Sequence, residues 1–387
     1  MAIPLKYNLR NLAVRRTTTA MTASSITLTV AVFVILMALA QGLQLSLTAT
    51  GQPNNILIMR EGSQSEATSS VTREALQVIK YLAGVAKDDK REPWVSPELI
   101  VLINLPRRGQ TQGSNVTIRG LGPAGPSLRP EYKLVEGRFF RNGLREVMVS
   151  RKISQRFQTC GLGDRLKFAK GYWTVVGIFD AGNTAYDSEI WTDANDLAAD
   201  FDRDGYSSVL LRAADASALK RLTDQIANDR RLHLKPQTER EYYEKQTRFA
   251  GPIKALGLFI AALMAVGACF AAMNTMYAAV ARRTREIGTL RVLGYSRGSI
   301  LLSFIIESIL IAAVGGILGC LLALPINGVT TGTTNFATFS EVAFNFRVTP
   351  GLLLNGMIFS VLMGFLGGFF PAWRAAHENI VTALRSV

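Results

Sequence analysis

The stretch "ARRTREIGTLRVLGYSRG", residues 281 to 298, places five arginines and one acid between two long apolar runs. Ile287, Leu290 and Leu293 recur in it at helical spacing, and Gly294 stands where such a helix would stop. A segment needed only to reverse the chain could be Gly, Ser and Asn. The runs on either side, 253 to 281 and 299 to 324, together with 22 to 47 and 351 to 373, make four apolar segments. Each exceeds the roughly 20 residues a helix needs to cross the hydrocarbon core.

Composition agrees with a mixed membrane protein. Of 387 residues 48% are hydrophobic and 19% charged, too apolar for an ordinary soluble domain and too polar for a bare bundle of spans. The net charge of +14 raises the question of nucleic acid, but its placement argues against that. Segments 1–21, 282–298 and 374–387 hold eleven Lys and Arg against two acids, Glu286 and Glu378. These short flanks fall on one side of a four-span chain, so the positive-inside rule makes both termini cytoplasmic and residues 48–252 external. Ala38-Leu39-Ala40 resembles a signal-peptidase site, yet the apolar run continues to Leu47, and a retained span is expected.

The same inventory excludes several chemistries. Cys160 is the one cysteine of the 48–252 insert, with Cys269 and Cys320 in spans, so the insert forms no internal disulfide. His233 and His377 fall on opposite sides, so no His–His metal site or His-paired nucleophile spanning both is possible within one chain. No G-x-x-x-x-G-K-[ST] is present to cradle a phosphate. No catalytic residue or metal ligand is therefore assigned, and no cofactor is expected in the chain itself.

Residues 1–21 read as a basic amphipathic helix, with Leu5, Leu9 and Leu12 on one face. The insert reads as α+β in two lobes. "NILIMRE", "ELIVLINL", "NVTIRGLG", "EVMVS", the two halves of "DRLKFAKGYWTVVGIFD" and "SSVLLRA" are strands; residues 71–83 and "DASALKRLTDQIAND" are helices, the latter capped by Asp215. "EREYYEKQTRFA" (239 to 250) is a charged helix leading toward the second span, interrupted at Gly251-Pro252. Residues 325–350 are an external loop and 374–387 a cytoplasmic tail. Within the spans, Ala261 and Ala265, Ala268 and Ala272, Gly315 and Gly319, and Gly364 and Gly368 recur four apart, the pattern that lets helices approach closely in lipid. Glu307 is the acid well inside a span, about 12 Å along the third. Pairing with an arginine on the cytoplasmic side is the expected reading, and proton relay the rival one.

The segment "AAMNTMYAAVARRTREIGTLRVLGYSRGSILLSFIIESILIAAVGGILGCLLA", 271 to 323, resembles the permease module shared by MacB, LolC/LolE and FtsX-type ABC transporter proteins. It carries M-N-T-M, then R-T-R-E-I-G-x-x-x-x-L-G, then an Ile-Glu-Ser and G-G-x-x-G. "FFPAWRAAHENIVTALRS" resembles the family's closing P-A-x-x-A-A and A-L-R, without the usual proline before the latter. The resemblance implies an α-helical membrane protein of four transmembrane helices with a large two-lobed α+β extracytoplasmic domain between helices 1 and 2. It implies a non-catalytic subunit of the bacterial inner membrane whose ATP and Mg sit on a separate ATPase chain, present in two copies.

Carried over residue by residue, Arg283, Thr284, Arg285, Glu286, Ile287, Gly288, Leu290, Leu293 and Gly294 form a coupling helix seated in the ATPase, the arginines meeting acids while Ile287 and Leu290 fill an apolar groove. A second permease copy, identical or related, and a periplasmic adaptor complete the partners the resemblance allows, besides membrane lipids. The expected function is transmission of ATP-driven motion to the outer domain for export or extraction. The rivals are lipoprotein extraction of the LolC/LolE kind and an FtsX-like regulator of a cell-wall hydrolase. A membrane receptor or enzyme fits poorly, for want of a cytoplasmic signalling domain or an active site.

Overall fold

The computed structural model describes residues 16–110, 112–247, 250–335 and 338–378. The amphipathic lead-in expected over 1–21 thus lies mostly outside the described residues, as does the end of the tail. In chain order, helix α1 (Arg16–Thr48) is followed by β1 (Asn55–Arg60), α2 (Arg73–Lys80), β2 (Val95–Pro106), β3 (Gly113–Leu121) and β4 (Lys133–Gly137). Next come β5 (Glu146–Ser150), α3 (Arg151–Arg156), β6 (Arg165–Phe168), β7 (Gly171–Asp180), β8 (Glu189–Asp193) and α4 (Ala194–Asp200). Then β9 (Ser208–Arg212), α5 (Ala216–Asn228), β10 (Leu234–Thr238) and α6 (Glu239–Gln246) close the insert. Helices α7 (Ala250–Arg282), α8 (Thr284–Val292) and α9 (Arg297–Ala323), strands β11 (Thr330–Asn335) and β12 (Ser340–Asn345), and α10 (Pro350–His377) complete the order.

Two compact units share the chain. One contains residues up to Gln41, Pro252–Gly328 and those from Phe346 on; the other contains Gly42–Gly251 and Val329–Asn345. In the first, four helices among the described residues are long and apolar enough to cross a membrane, built on α1, α7, α9 and α10. Several of their small residues sit at helix contacts. A Cβ at Gly319 would come within 2.7 Å of the Thr27 carbonyl oxygen and 2.8 Å of Val30, so α9 and α1 touch along bare backbone there. Thr349 caps α10 by accepting the Leu352 N–H, and Pro350 occupies the first turn, where no amide partner is lost. Gly251-Pro252 does not interrupt α7, which contains both residues.

The inserted unit is built on a mixed ten-stranded sheet in the order β10-β1-β9-β2-β3-β8-β5-β7-β4, with β6 paired to β7. The pairs β3·β8 and β5·β7 are parallel. Strand β2 serves both lobes, since Val95–Glu98 pair with β9 and Leu99–Pro106 with β3. On one side of that switch Ile56, Ile58, Ile79, Leu211 and Leu222 form a core; on the other Val116, Ile118, Val149, Trp173 and Ile190 form a second. Helix α5 contributes Ala218, Leu222 and Ile226 at successive turns, and Asp215 caps it by accepting the Ala218 N–H at 2.8 Å.

Residues 325–350, expected as a loop, contain the β11–β12 hairpin, in register from Thr330 opposite Asn345 to Asn335 opposite Ser340. It belongs to the inserted unit. Val342, Ala343 and Phe344 are buried in that unit, which supplies the apolar drive a bare connection would lack.

Candidate functional site

Arg283 separates α7 from α8 as a single residue, at φ −109° and ψ 10°. At the far end the chain closes with Tyr295 N–H donating to the Leu290 carbonyl at 3.1 Å and Gly294 N–H to that of Arg291 at 3.2 Å. That is the paired bonding of a Schellman ending, and it requires the left-handed φ of +92° that Gly294 adopts without strain. Ser296 then caps α9 by accepting the Ser299 N–H. The segment is thus a short helix closed at its C-terminus rather than a turn.

The nine residues carried over to this helix do not share one face. Arg285, Glu286, Leu293 and Gly294 are exposed, Thr284 and Leu290 half-buried, and Arg283, Ile287 and Gly288 buried. Ile287 joins Met276, Val280, Ile300 and Phe304 in a core of the chain itself. The expectation that Ile287 fills a partner's groove is corrected accordingly: its side chain is already covered. The outward apolar surface comes instead from Val292 and Leu293, at the end of the helix where the chain has left the inner face.

Arg283 is an anchor. Its Nη1 donates to Glu307 Oε2 at 3.0 Å, both side chains being about 5% exposed, and its Nε lies 3.2 Å from Glu286 Oε2. The guanidinium carbon is 5.0 Å from the Phe304 ring centre. Glu307 therefore pairs with an arginine of the basic segment, and the pair ties α8 to α9. Removing one member of a buried pair strands the other, at about 3–5 kcal/mol. The glycines lie nearby in the same unit: Gly315 faces Ala23 and Ile26 of α1, while Gly364 and Gly368 face Ala312 and Ser308 of α9.

The inserted unit carries a buried polar network that no spacing in the sequence marks. Arg119 donates from Nη1 to Glu98 at 2.7 Å and Glu66 at 2.9 Å, and from Nε and Nη2 to Glu189 at 2.8 and 2.7 Å. Arg129 donates to both oxygens of Glu98 at 2.7 Å. Burial alone would raise the Glu98 carboxyl, but Arg129 and Arg119 outweigh it and hold it below its ordinary value. Glu98 is the last residue of β2 paired to β9, and Arg119 is in β3, so these ion pairs sit at the joint of the two lobes.

Beside the network, Glu239 opens α6 with its carboxylate accepting from Gln52 N–H at 3.0 Å, Asn55 Nδ2 at 2.8 Å and the Tyr186 hydroxyl. It thereby joins the segment just after α1 to the helix preceding α7. Burial pushes this carboxyl up. Among the described residues no group of three His, Cys, Asp or Glu could hold a metal ion. The β11–β12 hairpin's signal in the sequence is a connection too long for a plain turn that holds the apolar run Val342, Ala343 and Phe344.

Residues 19–229 match the model of the MacB-like periplasmic core domain and residues 258–380 that of the FtsX-like permease C-terminal region. The chain belongs to this MacB/FtsX family of ABC transporter permeases and is a multi-pass membrane protein.

It is 26% identical over 301 residues to the ABC transporter permease YknZ of Bacillus subtilis (strain 168), covering 72% of each chain. It is also 26% identical over 319 residues to the macrolide export ATP-binding/permease protein MacB of Bordetella avium (strain 197N), covering 76% of this chain and 47% of that one. The chain thus spans about half the length of that MacB relative. Among solved structures, the extracellular domain of the ABC-type transporter YknZ from Gram-positive bacteria aligns with 48% of this chain and 100% of its own, at 19% identity and a TM-score of 0.37.

Proposed function

We propose that the chain is the non-catalytic subunit of an exporter, carrying ATP-driven motion from an ATPase on the α8 side of the membrane to the inserted domain on the other. The observation that carries this reading is the anchoring of α8. Arg283 and Ile287 fix it to the spans, while Arg285, Val292 and Leu293 face outward. An exposed arginine and exposed apolar side chains on one short helix suit a groove with acids at its edge. Arg283, Thr284, Glu286, Gly288, Leu290 and Gly294 then shape and hold the contact rather than all entering it.

In this reading both termini and α8 are cytoplasmic, the inserted domain is extracytoplasmic, and the membrane is the bacterial inner membrane. ATP and Mg bind the partner. The match to YknZ, named a permease, supports an ATPase on a separate chain, whereas the MacB relative is named as ATP-binding and permease in one. Two ATPase copies and a second permease follow from closed two-fold assembly. The size of the two-lobed domain favours export over regulation of a cell-wall hydrolase, and an adaptor is a partner of the export reading.

Leu293→Glu and Arg285→Glu in the chain co-expressed with its ATPase test the docking. Both are expected to insert normally in the membrane and to lower permease-dependent ATP hydrolysis by about tenfold, equivalent to ~1.4 kcal/mol of contact energy. Unchanged hydrolysis in both variants refutes the reading.

A further inference from the structure

Glu341 is the one acid of the β11–β12 hairpin sequence and is fully buried, and the transmission reading does not use it. Its Oε2 accepts from Arg107 Nε at 3.0 Å and Nη2 at 2.5 Å, and its Oε1 meets Arg156. Arg107 directly follows β2, and Arg156 ends α3, so two separate elements of the insert hold one acid from between the last two spans. Ala343 N–H donates to Ser188 Oγ at 2.7 Å, and Asn335 Nδ2 donates to Gln246 Oε1 of α6 at 3.0 Å. The connectors at the other end are short and bonded. Gly328 N–H donates to the Phe346 carbonyl at 2.9 Å, Arg347 N–H to that of Ala38 in α1 at 3.2 Å, and Val348 N–H to Asn327 Oδ1 at 3.0 Å.

From this geometry we infer that the hairpin is a second mechanical linkage, a strap that delivers movement of α9 and α10 to the insert, with Glu341 as the positioning residue that keeps it attached throughout the cycle. The inference rests on the transmission reading and adds a route to it. Force would otherwise enter through the segment after α1 and through α6, both held at Glu239. With the strap the insert has four chain connections to the spans, and a body held at four points follows their rocking rather than swivelling about two. Glu341 is fully covered while its two arginines are 29% and 21% exposed, so neutralising the acid loosens the hairpin and leaves two cations that still reach water.

The test uses the full chain with its ATPase in lipid nanodiscs, spin-labelled at Lys90 in the insert and Leu354 in α10, with MgATP and vanadate as the probe. The wild-type distance is expected to change on trapping, and Glu341→Gln to abolish that change. In the Glu341→Gln background the pair Ser188→Cys and Ala343→Cys should restore it on oxidation and lose it again on reduction, which a folding defect would not do. A full change in Glu341→Gln, or failure of the formed disulfide to restore it, overturns the strap. A wild-type complex with no nucleotide-dependent change overturns the transmission reading itself, and the strap with it.

Discussion

Replacing Glu98 by Gln removes one negative charge from the joint between the lobes at almost constant volume. In the wild type Glu98 accepts three hydrogen bonds of 2.7 Å, one from Arg119 and two from Arg129. Arg119 keeps Glu66 and Glu189 after the change. Arg129, 2% exposed, keeps the Gly125 carbonyl at 3.1 Å and the face of Tyr186 but loses its carboxylate. A charge stranded in this way costs about 3–5 kcal/mol, a large share of the roughly 5–15 kcal/mol that holds a domain folded.

With a urea slope of about 3 kcal/mol per molar for a domain this size, the midpoint should fall by about 1–1.7 M. The assay is urea unfolding of the full chain in detergent, followed by tryptophan fluorescence. Trp191 donates to Glu189 at 2.9 Å, so it reports from within the network. The pH dependence has a definite sign. The folded Glu98 carboxyl lies below its ordinary value of 4.5, so its contribution is complete above that value and is lost as pH falls through the folded one. The gap between wild type and variant should therefore close on acidification. An unchanged midpoint at neutral pH, with unchanged slope, refutes the structural role given to this network.

Three further outcomes are expected. Gly319→Val drives a side chain into the Thr27 carbonyl and Val30, so α9 and α1 separate and the chain becomes trypsin-sensitive in detergent, whereas Gly267→Val, with open space around it, leaves digestion unchanged. Arg283→Leu and Glu307→Leu each lower the thermal midpoint in detergent, while the double variant recovers most of the loss because no lone charge is left buried. Cys160 is buried and burial pushes its thiol up to about 12, so maleimide labels it at neutral pH only after the insert unfolds, as mass spectrometry would show.

What the sequence discloses and what it withholds follow from range. Span lengths, the Asp215 cap and the left-handed Gly294 are local, set by composition or by a few neighbouring residues, and each lies where periodicity puts it. Strand β10 is hidden by Pro236, which reads as a breaker; at the sheet edge a missing amide costs little, and the strand forms. Glu66, Glu98 and Glu189 converge on Arg119 only through sheet pairing, so no spacing betrays them. For α8 the three-residue spacing of Ile287, Leu290 and Leu293 marks a helix but not which side faces home. That depends on Glu307, 24 residues from Arg283 in sequence and 3.0 Å away in space.

The most direct test places a photo-crosslinking amino acid at 293 or at 287 in the chain co-expressed with its ATPase. An adduct with the ATPase from position 293 and none from 287 is the predicted result. Failure to capture the ATPase from 293, or equal capture from 287, contradicts the docking geometry on which the coupling rests.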